Sequence, residues 1–564
     1  MLSPKSSRKA SRAHADVPPR KRLNRLKLGP IVGHTDDSSA KVWIQVFDDP
    51  LDYTLRVAGA GVFDVIPTET AGLEFHTGIA RATGLRADWQ YTYSILRKGR
   101  RVVGGKGSFR TMPDPTSMAP IVFCAVSCST LATDGVWPQM AKFIKQAKPS
   151  FLLMMGDQVY IDEDDPNIFA LHYDSDPPTR RRALAEKYRL SWSRKVIQQV
   201  FANIPTYMVW DDHEIRDGFG SLACDSPTLA LRFPRGQKMF ARSDAYFQDC
   251  RDVYWHFQGC HNPLKGETAE PSLPNYIVDP PNGGPRRAMP FVFRCGRVLV
   301  LVLESRTERD VFREELPILG AEQWAFIEKV FANLPPDVET LAVMTPTPIA
   351  SIDPRGQVMK LMGDRTDDIE AFKRGDEKAV LDPHSSEDFT DLLLAIAGHE
   401  LTVLTGTPQN LGAFKVSNLD EARDQWSHKF AQPEQRDLLK KAAKARFVNR
   451  DGNNGRELIF LSGDIHVGSI FDISMFNPRY NIVSLTSSGI SAKQHVKADL
   501  FVGTFVDEDF TVDAGVRSVL REVVPDFNFG IVQVLQTGSG AEINALLAHE
   551  GNSFAAGFDI SKLI

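Results

Sequence analysis

Cysteine is scarce in this chain: six residues in 564, at positions 124, 128, 224, 250, 260 and 295, with no CxxC pair. That excludes a disulfide-framed miniature, and the thiols read as buried and reduced. Long apolar runs are missing as well. No stretch approaches the roughly 20 residues that a membrane-spanning helix needs, and the N-terminus has no apolar segment of the kind a signal peptide requires. There is no internal repeat, and no low-complexity tract beyond the first residues. What remains is 42% hydrophobic and 24% charged, with 66 Lys+Arg against 71 Asp+Glu and a net charge of -5. Such a chain can bury a sizeable core, and wholesale disorder is excluded.

The charge is uneven. Residues 1–27 hold nine Lys/Arg and one acid, Asp16, a balance of +8, and the remainder carries -13. A body that acidic argues against a nucleic-acid partner, which would need a basic face. The first 27 residues read as a solvated, disordered basic tail. Pro18-Pro19 and the lack of an amphipathic stretch argue against a transit peptide, so an intracellular, cytoplasmic protein is expected. The sequence does not specify an oligomeric state.

Residues 28–112 alternate as an all-β unit, with strands over Ala40–Val46 and Gln90–Leu96 and a core position at Trp43. Leu85 and Tyr91 have the spacing of the tyrosine corner of fibronectin-type sandwiches. Met112–Met118 reads as a linker. From 119 to 548, short apolar runs stop abruptly in polar clusters: Ile121–Val126 before Ser127-Cys128, Phe151–Met155 before Gly156-Asp157, and Tyr207–Trp210 before Asp211-Asp212-His213-Glu214. The same holds for Leu341–Met344, for Leu458–Leu461 before Ser462-Gly463-Asp464-Ile465-His466, and for Ile482–Leu485 before Thr486-Ser487-Ser488-Gly489. Helical patterns at Val136–Ala147 and Ala321–Leu334 lie between the runs, which predicts an α/β layered core. Ligands of such cores sit beyond the carboxyl ends of the strands, so the polar clusters should converge at one sheet edge. Two stretches read as inserts, 220–290 with a helix around Lys238–Asp249, and 351–450 with helices at Ser385–Ala397 and Pro433–Phe447. Gly530–Gln536 and Glu542–Ala548 form a closing strand pair, and 549–564 is a C-terminal tail.

Taken singly the clusters are weak: Gly-Asp after a strand is commonly a turn, and a lone cysteine is commonly core. Together, Cys128, Asp157 with Tyr160, Asp212 with His213, and Asp464 with His466 bring thiolate, carboxylate, phenolate and imidazole to one place. That set suits a multi-metal site, because carboxylates at such density repel unless cations neutralise them. Two metals suit phosphoester hydrolysis, with His213 able to protonate a leaving alkoxide. Rival signatures are absent: there is no GxxxxGK[ST] loop, GxGxxG turn, GxSxG elbow or HExxH helix.

These motifs, in this order, resemble the PhoD-like phosphatases, the alkaline phosphatase D branch of the metallophosphoesterase superfamily. Leu303-Glu-Ser-Arg306, Leu319-Gly-Ala-Glu-Gln-Trp324, Asp424-Gln-Trp426 and Thr486-Ser-Ser-Gly489 agree, and the likeness spans about 28–548. It implies a four-layer αββα core preceded by a fibronectin-like sandwich. It implies ferric iron (Fe3+) held by Cys128, Asp157, Tyr160 and His466, and calcium (Ca2+) or another divalent ion held by Asp157, Asp212 and Asp464. Asp157 would bridge the two, a metal-activated water would attack phosphorus, and His213 would assist the leaving group of a small phosphomonoester or phosphodiester. Asp162, Arg216 and Arg306 are further candidates for metal or phosphate support, with ordinary salt bridging as the alternative.

The pattern is broken in places. Glu304 stands where the family has Asp, Thr345-Pro-Thr347 where relatives carry His or Gln, and Asp217-Gly218 in place of an Asn pair. Two other classes stay open: a catalytically silent phosphate-binding protein on the same scaffold, and a nuclease or phospholipase of the same superfamily.

Overall fold

The computed structural model describes residues 24–69, 74–162, 175–264, 267, 286–350, 366–376, 424–426, 428, 430–450, 455–475, 477–493, 509–513, 516–537 and 540–550. Seven strands come first: β1 (Leu28–Thr35), β2 (Ser39–Gln45), β3 (Tyr53–Val57), β4 (Gly61–Pro67), β5 (Thr77–Thr83), β6 (Gln90–Arg97) and β7 (Arg100–Arg110). They pair antiparallel in the order β1-β2-β5-β4-β3-β6-β7. The β6–β7 hairpin turns on Lys98 and Gly99, both at positive φ, the backbone that a two-residue hairpin loop requires.

Side chains alternate across a strand, and on β2 this alternation separates two environments. Val42 and Ile44 join Tyr53, Leu55, Tyr93 and Ile95 in the core of the unit. Trp43, expected in that core, points the other way: its indole donates to the His256 carbonyl at 3.0 Å and packs against Phe257 and His261. Trp43 therefore seals the joint between the β unit and the rest of the chain. Lys41 on the same face reaches Glu267 at 2.6 Å. The expected tail also ends sooner than residue 27. Leu26 is buried in the β unit, the Lys27 amide donates to Gln45, and Val103 donates to Asn24. Residues 1–23 and 551–564, where the tails were expected, lie outside the described residues.

The remaining strands are β8 (Ile121–Val126), β9 (Leu152–Met155), β10 (Thr206–Val209), β11 (Phe291–Cys295), β12 (Val298–Val302), β13 (Thr340–Met344), β14 (Glu457–Ser462), β15 (Gly468–Met475), β16 (Asn477–Thr486), β17 (Asp509–Asp513), β18 (Val516–Val524), β19 (Asn528–Thr537) and β20 (Gly540–His549). They make two sheets rather than one: β10-β9-β8-β19-β20 and β11-β12-β13-β14-β16-β15-β18-β17. In the first, β10, β9 and β8 run parallel; in the second, β12, β13, β14 and β16 do. Alternation again decides the packing. Val298, Val300 and Val302 face the core shared with the first sheet, while Leu299, Leu301 and Leu303 face Trp324, Ile327 and Leu438 on the opposite side.

The described helices are α1 (Trp137–Ala147), α2 (Pro177–Trp192), α3 (Lys195–Phe201), α4 (Pro227–Arg232), α5 (Gln237–Phe257), α6 (Gly320–Ala332), α7 (Thr366–Arg374) and α8 (Gln432–Ala445). Among the described residues, no helix is long and apolar enough to cross a membrane. α5 extends the helix expected around Lys238–Asp249, and α8 matches the one expected at Pro433–Phe447. The helix expected at Ser385–Ala397 lies outside the described residues.

Candidate active site

Every strand of the two parallel sets delivers its polar cluster at its carboxyl end, and the two sets of ends meet. β8 leads to Ser127-Cys128, β9 to Gly156-Asp157, β10 to Asp211-Asp212-His213, β14 to Asp464 and His466, and β16 to Ser487-Ser488. The strand exits are sharp. Ten non-glycine residues among those described have positive φ, and four of them are Cys128 (58°), Asp157 (56°), Asp464 (75°) and His466 (55°). A left-handed backbone at a non-glycine residue persists only where its surroundings hold it, and it aims the side chain inward. The glycines before the acids serve close approach. A Cβ on Gly156 would lie 2.5 Å from the Asp211 Cβ, and one on Gly463 would lie 2.3 Å from the Ser127 hydroxyl.

Asp157 is the hub. Its Oδ2 lies 3.5 Å from the Cys128 sulfur and 3.3 Å from the Tyr160 hydroxyl, which is 2.7 Å from His466 Nε2. Three groups have donor atoms mutually within 4.8 Å: Cys128/Asp157/His466, Asp157/Asp212/His213 and Asp157/Asp211/Asp212/Asp464. Asp157 belongs to all three. The sequence-predicted residues Cys128, Asp157, Tyr160, Asp212, His213, Asp464 and His466 are thus brought together. The His213 ring packs on Tyr160 at 4.1 Å between centroids, and its Nδ1 lies 2.7 Å from Asp162 Oδ1.

The donor set fits cations. Burial, then the neighbouring Cys128 and Asp212, push Asp157 well above the usual carboxylate range. Burial and the charges of Asp211 and Asp424 do the same to Asp464. Against the cost of burial, Arg306 and His213 hold Asp212 below that range. Burial lowers His466 to about 4, leaving a neutral imidazole with a lone pair to offer. Among the described residues, Asp211 Oδ2 is buried with no hydrogen-bond partner. A thiol, a phenol and an imidazole beside Asp157 suit a transition-metal ion, and the carboxylates on its other flank suit an oxygen-seeking divalent ion.

The two arginines considered for phosphate are both paired with carboxylates. Arg216 is buried in an ion pair with Asp225 and donates to the Asp217 carbonyl at 3.0 Å. Arg306 has no exposed side-chain surface and is paired with Asp211 and Asp424. Glu304 and Gly218 act through the backbone. The Glu304 carboxylate accepts from the amides of Arg306 and Thr307, both at 2.7 Å, and Gly218 donates to Asp212 at 2.8 Å.

Sequence reasoning gave no role to Asp211, Ser488 or Glu214. Asp211 was indistinguishable from its neighbour in a doublet. The Ser488 hydroxyl lies 3.2 Å from the Cys128 sulfur and accepts from the His466 amide at 2.7 Å, a contact that no local pattern signals. Glu214 accepts from the amides of Asp157 (3.0 Å), Gln158 (2.7 Å) and Asp211 (2.9 Å) and from Gln258 Nε2 (3.2 Å). Its spacing of three from Asp211 is a capping-box pattern that could have been read.

A sequence model described as PhoD-like phosphatase matches residues 123–514. Among solved structures, one of PhoD superposes with a TM-score of 0.52 at 14% identity, covering 93% of this chain and 91% of that one. A purple acid phosphatase from yellow lupin (Lupinus luteus) seeds gives a TM-score of 0.45 at 10% identity, covering 93% of this chain and 72% of that one. No curated protein matches the sequence.

Proposed function

Since the chain belongs to the PhoD-like phosphatase family and is a hydrolase of phosphoester bonds, we propose that it cleaves small phosphomonoesters, phosphodiesters or both at a pair of bound cations. Cys128, Asp157, Tyr160 and His466 would hold ferric iron. Asp157, Asp212 and Asp464, with Asp211 beside them, would hold calcium or another divalent ion. Cations bound there would acidify a water and neutralise the phosphate oxygens. The observation that carries the reading is the membership of Asp157 in all three donor groups.

The rest is the work of the chain's own side chains. Asp162 anchors His213 through Nδ1, which fixes the ring and leaves Nε2 as the atom that passes a proton to the departing oxygen. Tyr160, packed on the same ring, limits its rotation. Glu214 ties the turn after β9 to the turn after β10, so Asp157 and the Asp211–His213 segment keep their separation. The same reading makes the two-sheet core a four-layer αββα arrangement and the N-terminal unit a fibronectin-like sandwich. The latter is supported by the Arg86 amide donating to the Tyr91 hydroxyl at 2.9 Å.

Hydrolysis of bis(p-nitrophenyl) phosphate and p-nitrophenyl phosphate by the iron- and calcium-supplied protein tests the proposal, beside Asp157→Ala. Turnover of at least one substrate, abolished in the variant together with bound iron, is expected. Near-wild-type turnover by Asp157→Ala would overturn it.

A further inference from the structure

Arg306 has no place in the reaction as just described, yet it is among the largest side chains with no solvent exposure in the protein. It follows β12 and is locked by Glu304, whose carboxylate accepts from the Arg306 amide. Its Nε donates to Asp211 Oδ1 and its Nη1 to Asp424 Oδ1. Its Nη2 makes no hydrogen bond among the described residues. That nitrogen lies 3.5 Å from Asp212 Oδ1 and 3.7 Å from Asp464 Oδ1, between the two acids. A guanidinium nitrogen so placed serves both carboxylates by charge rather than by hydrogen bonding.

Charge arithmetic gives it a purpose. Four carboxylates lie within ion-pair reach of Arg306, namely Asp211, Asp212, Asp424 and Asp464, and Arg309 pairs with Asp424 as well. With Asp157 counted among the iron's ligands beside Cys128 and Tyr160, and these six groups ionised, two negative charges remain, which matches one divalent ion. We propose that Arg306 is a built-in cation of the carboxylate-rich half of the site, a positioning residue that fixes Asp211 and Asp212 and sets the valence of the ion bound there. The inference rests on reading those carboxylates as a metal site.

Replacing Arg306 by glutamine leaves three negative charges, so the site should turn toward a trivalent ion. A residue that merely held the structure would weaken di- and trivalent ions together. For charges roughly 6 Å apart at an effective dielectric near 20, one extra unit of valence is favoured by on the order of 100-fold, so a shift of at least about tenfold in preference is the criterion. The test titrates the iron-loaded full-length protein with Tb3+, read by aromatic-sensitised luminescence, and displaces it with Ca2+. The proteins compared are wild type, Arg306→Gln, Arg306→Lys and Asp464→Asn.

The expected result is Tb3+ and Ca2+ binding by wild type that is weakened by Asp464→Asn. The Tb3+/Ca2+ affinity ratio should rise at least about tenfold in Arg306→Gln. In Arg306→Lys, which keeps the charge and loses the fork, it should stay within about threefold of wild type. A folded Arg306→Gln with an unchanged ratio overturns the inference while leaving the metal reading intact. Wild type that binds neither ion overturns the metal reading and this inference with it. Should Arg306→Gln fail to fold, Arg306→Met takes its place: a Tb3+/Ca2+ ratio raised at least about tenfold supports the proposal, and an unchanged ratio overturns it.

Discussion

Replacing Glu214 by glutamine changes one atom and should disable the site without touching a proposed ligand. The Glu214 carboxylate is buried and receives four donors, two on each oxygen: Asp157 N and Asp211 N on Oε2, Gln158 N and Gln258 Nε2 on Oε1. An amide keeps one acceptor oxygen and turns an NH2 group toward the other pair of donors. Whichever way it flips, two bonds are lost and two buried N–H groups face a donor. Each unsatisfied group costs about 1–3 kcal/mol, so the loss is about 2–6 kcal/mol. If the Oε2 pair is lost, the turns bearing Asp157 and Asp211 separate. Urea unfolding of the metal-free protein should therefore show a loss of at least about 2 kcal/mol. Iron and calcium content after equilibration should fall together. Unchanged stability with full metal content would refute the reasoning, because it would mean that the turns hold their positions without this carboxylate.

Gly156→Ala places a Cβ 2.5 Å from the Asp211 Cβ at a φ of +110°, and Asp211 is pinned by Arg306. The two penalties together should cost about 2–4 kcal/mol, visible as a lower thermal midpoint. Asp162→Asn should lower kcat about ten- to hundredfold for an alkyl phosphate and far less for p-nitrophenyl phosphate, whose leaving group needs no proton; equal losses on both would remove His213 from the proton donor's place. Acid should weaken the joint behind Trp43. Burial lowers His256 to about 4 and His261 to about 3. Between those values and the ordinary value near 6.5 the unfolded chain therefore binds the protons, and stability falls as pH drops through this window. The loss is about 2 kcal/mol per histidine at pH 5. Urea midpoints from pH 7.5 to 5 should show it, and His261→Phe should flatten the slope.

The parallel strands were legible because each is an uninterrupted apolar run that stops in polar residues, which is how a strand buried on both faces reads. Ile121–Val126 is matched residue for residue by β8. β15 and β18 were not, since their mixed runs such as Val516–Val524 alternate imperfectly. β12 was overlooked although Val298–Val302 is wholly apolar, because its exit bears no metal-ligating pattern. Trp43 was misplaced for a different reason: β2 is buried on both faces, and alternation cannot say which face meets a second unit. At the site, side chains that point at a partner through a motif were readable. Those that act through pairing over long separations were not: Asp424 meets Arg306 across 118 positions, and Ser488 meets Cys128 across 360.

The order of strands in the first sheet bears on how the protein comes to exist. β8, which leads directly to Cys128, lies between β9 and β19, and β19 ends at Thr537. During synthesis the early half of the site is therefore made long before the strand that covers the flank of β8, and Asp464 and His466 also emerge late. Until then β8 keeps an open edge, and Cys128 and Asp157 stand without their partners on the other sheet. Unpaired edges of this kind invite wrong pairing, and an incomplete donor set has no claim on a particular ion. In the proposed two-cation site the full donor set would form only after His466 and β19 have emerged, so the ions around the finished protein, rather than the ribosome-bound one, would decide what it carries.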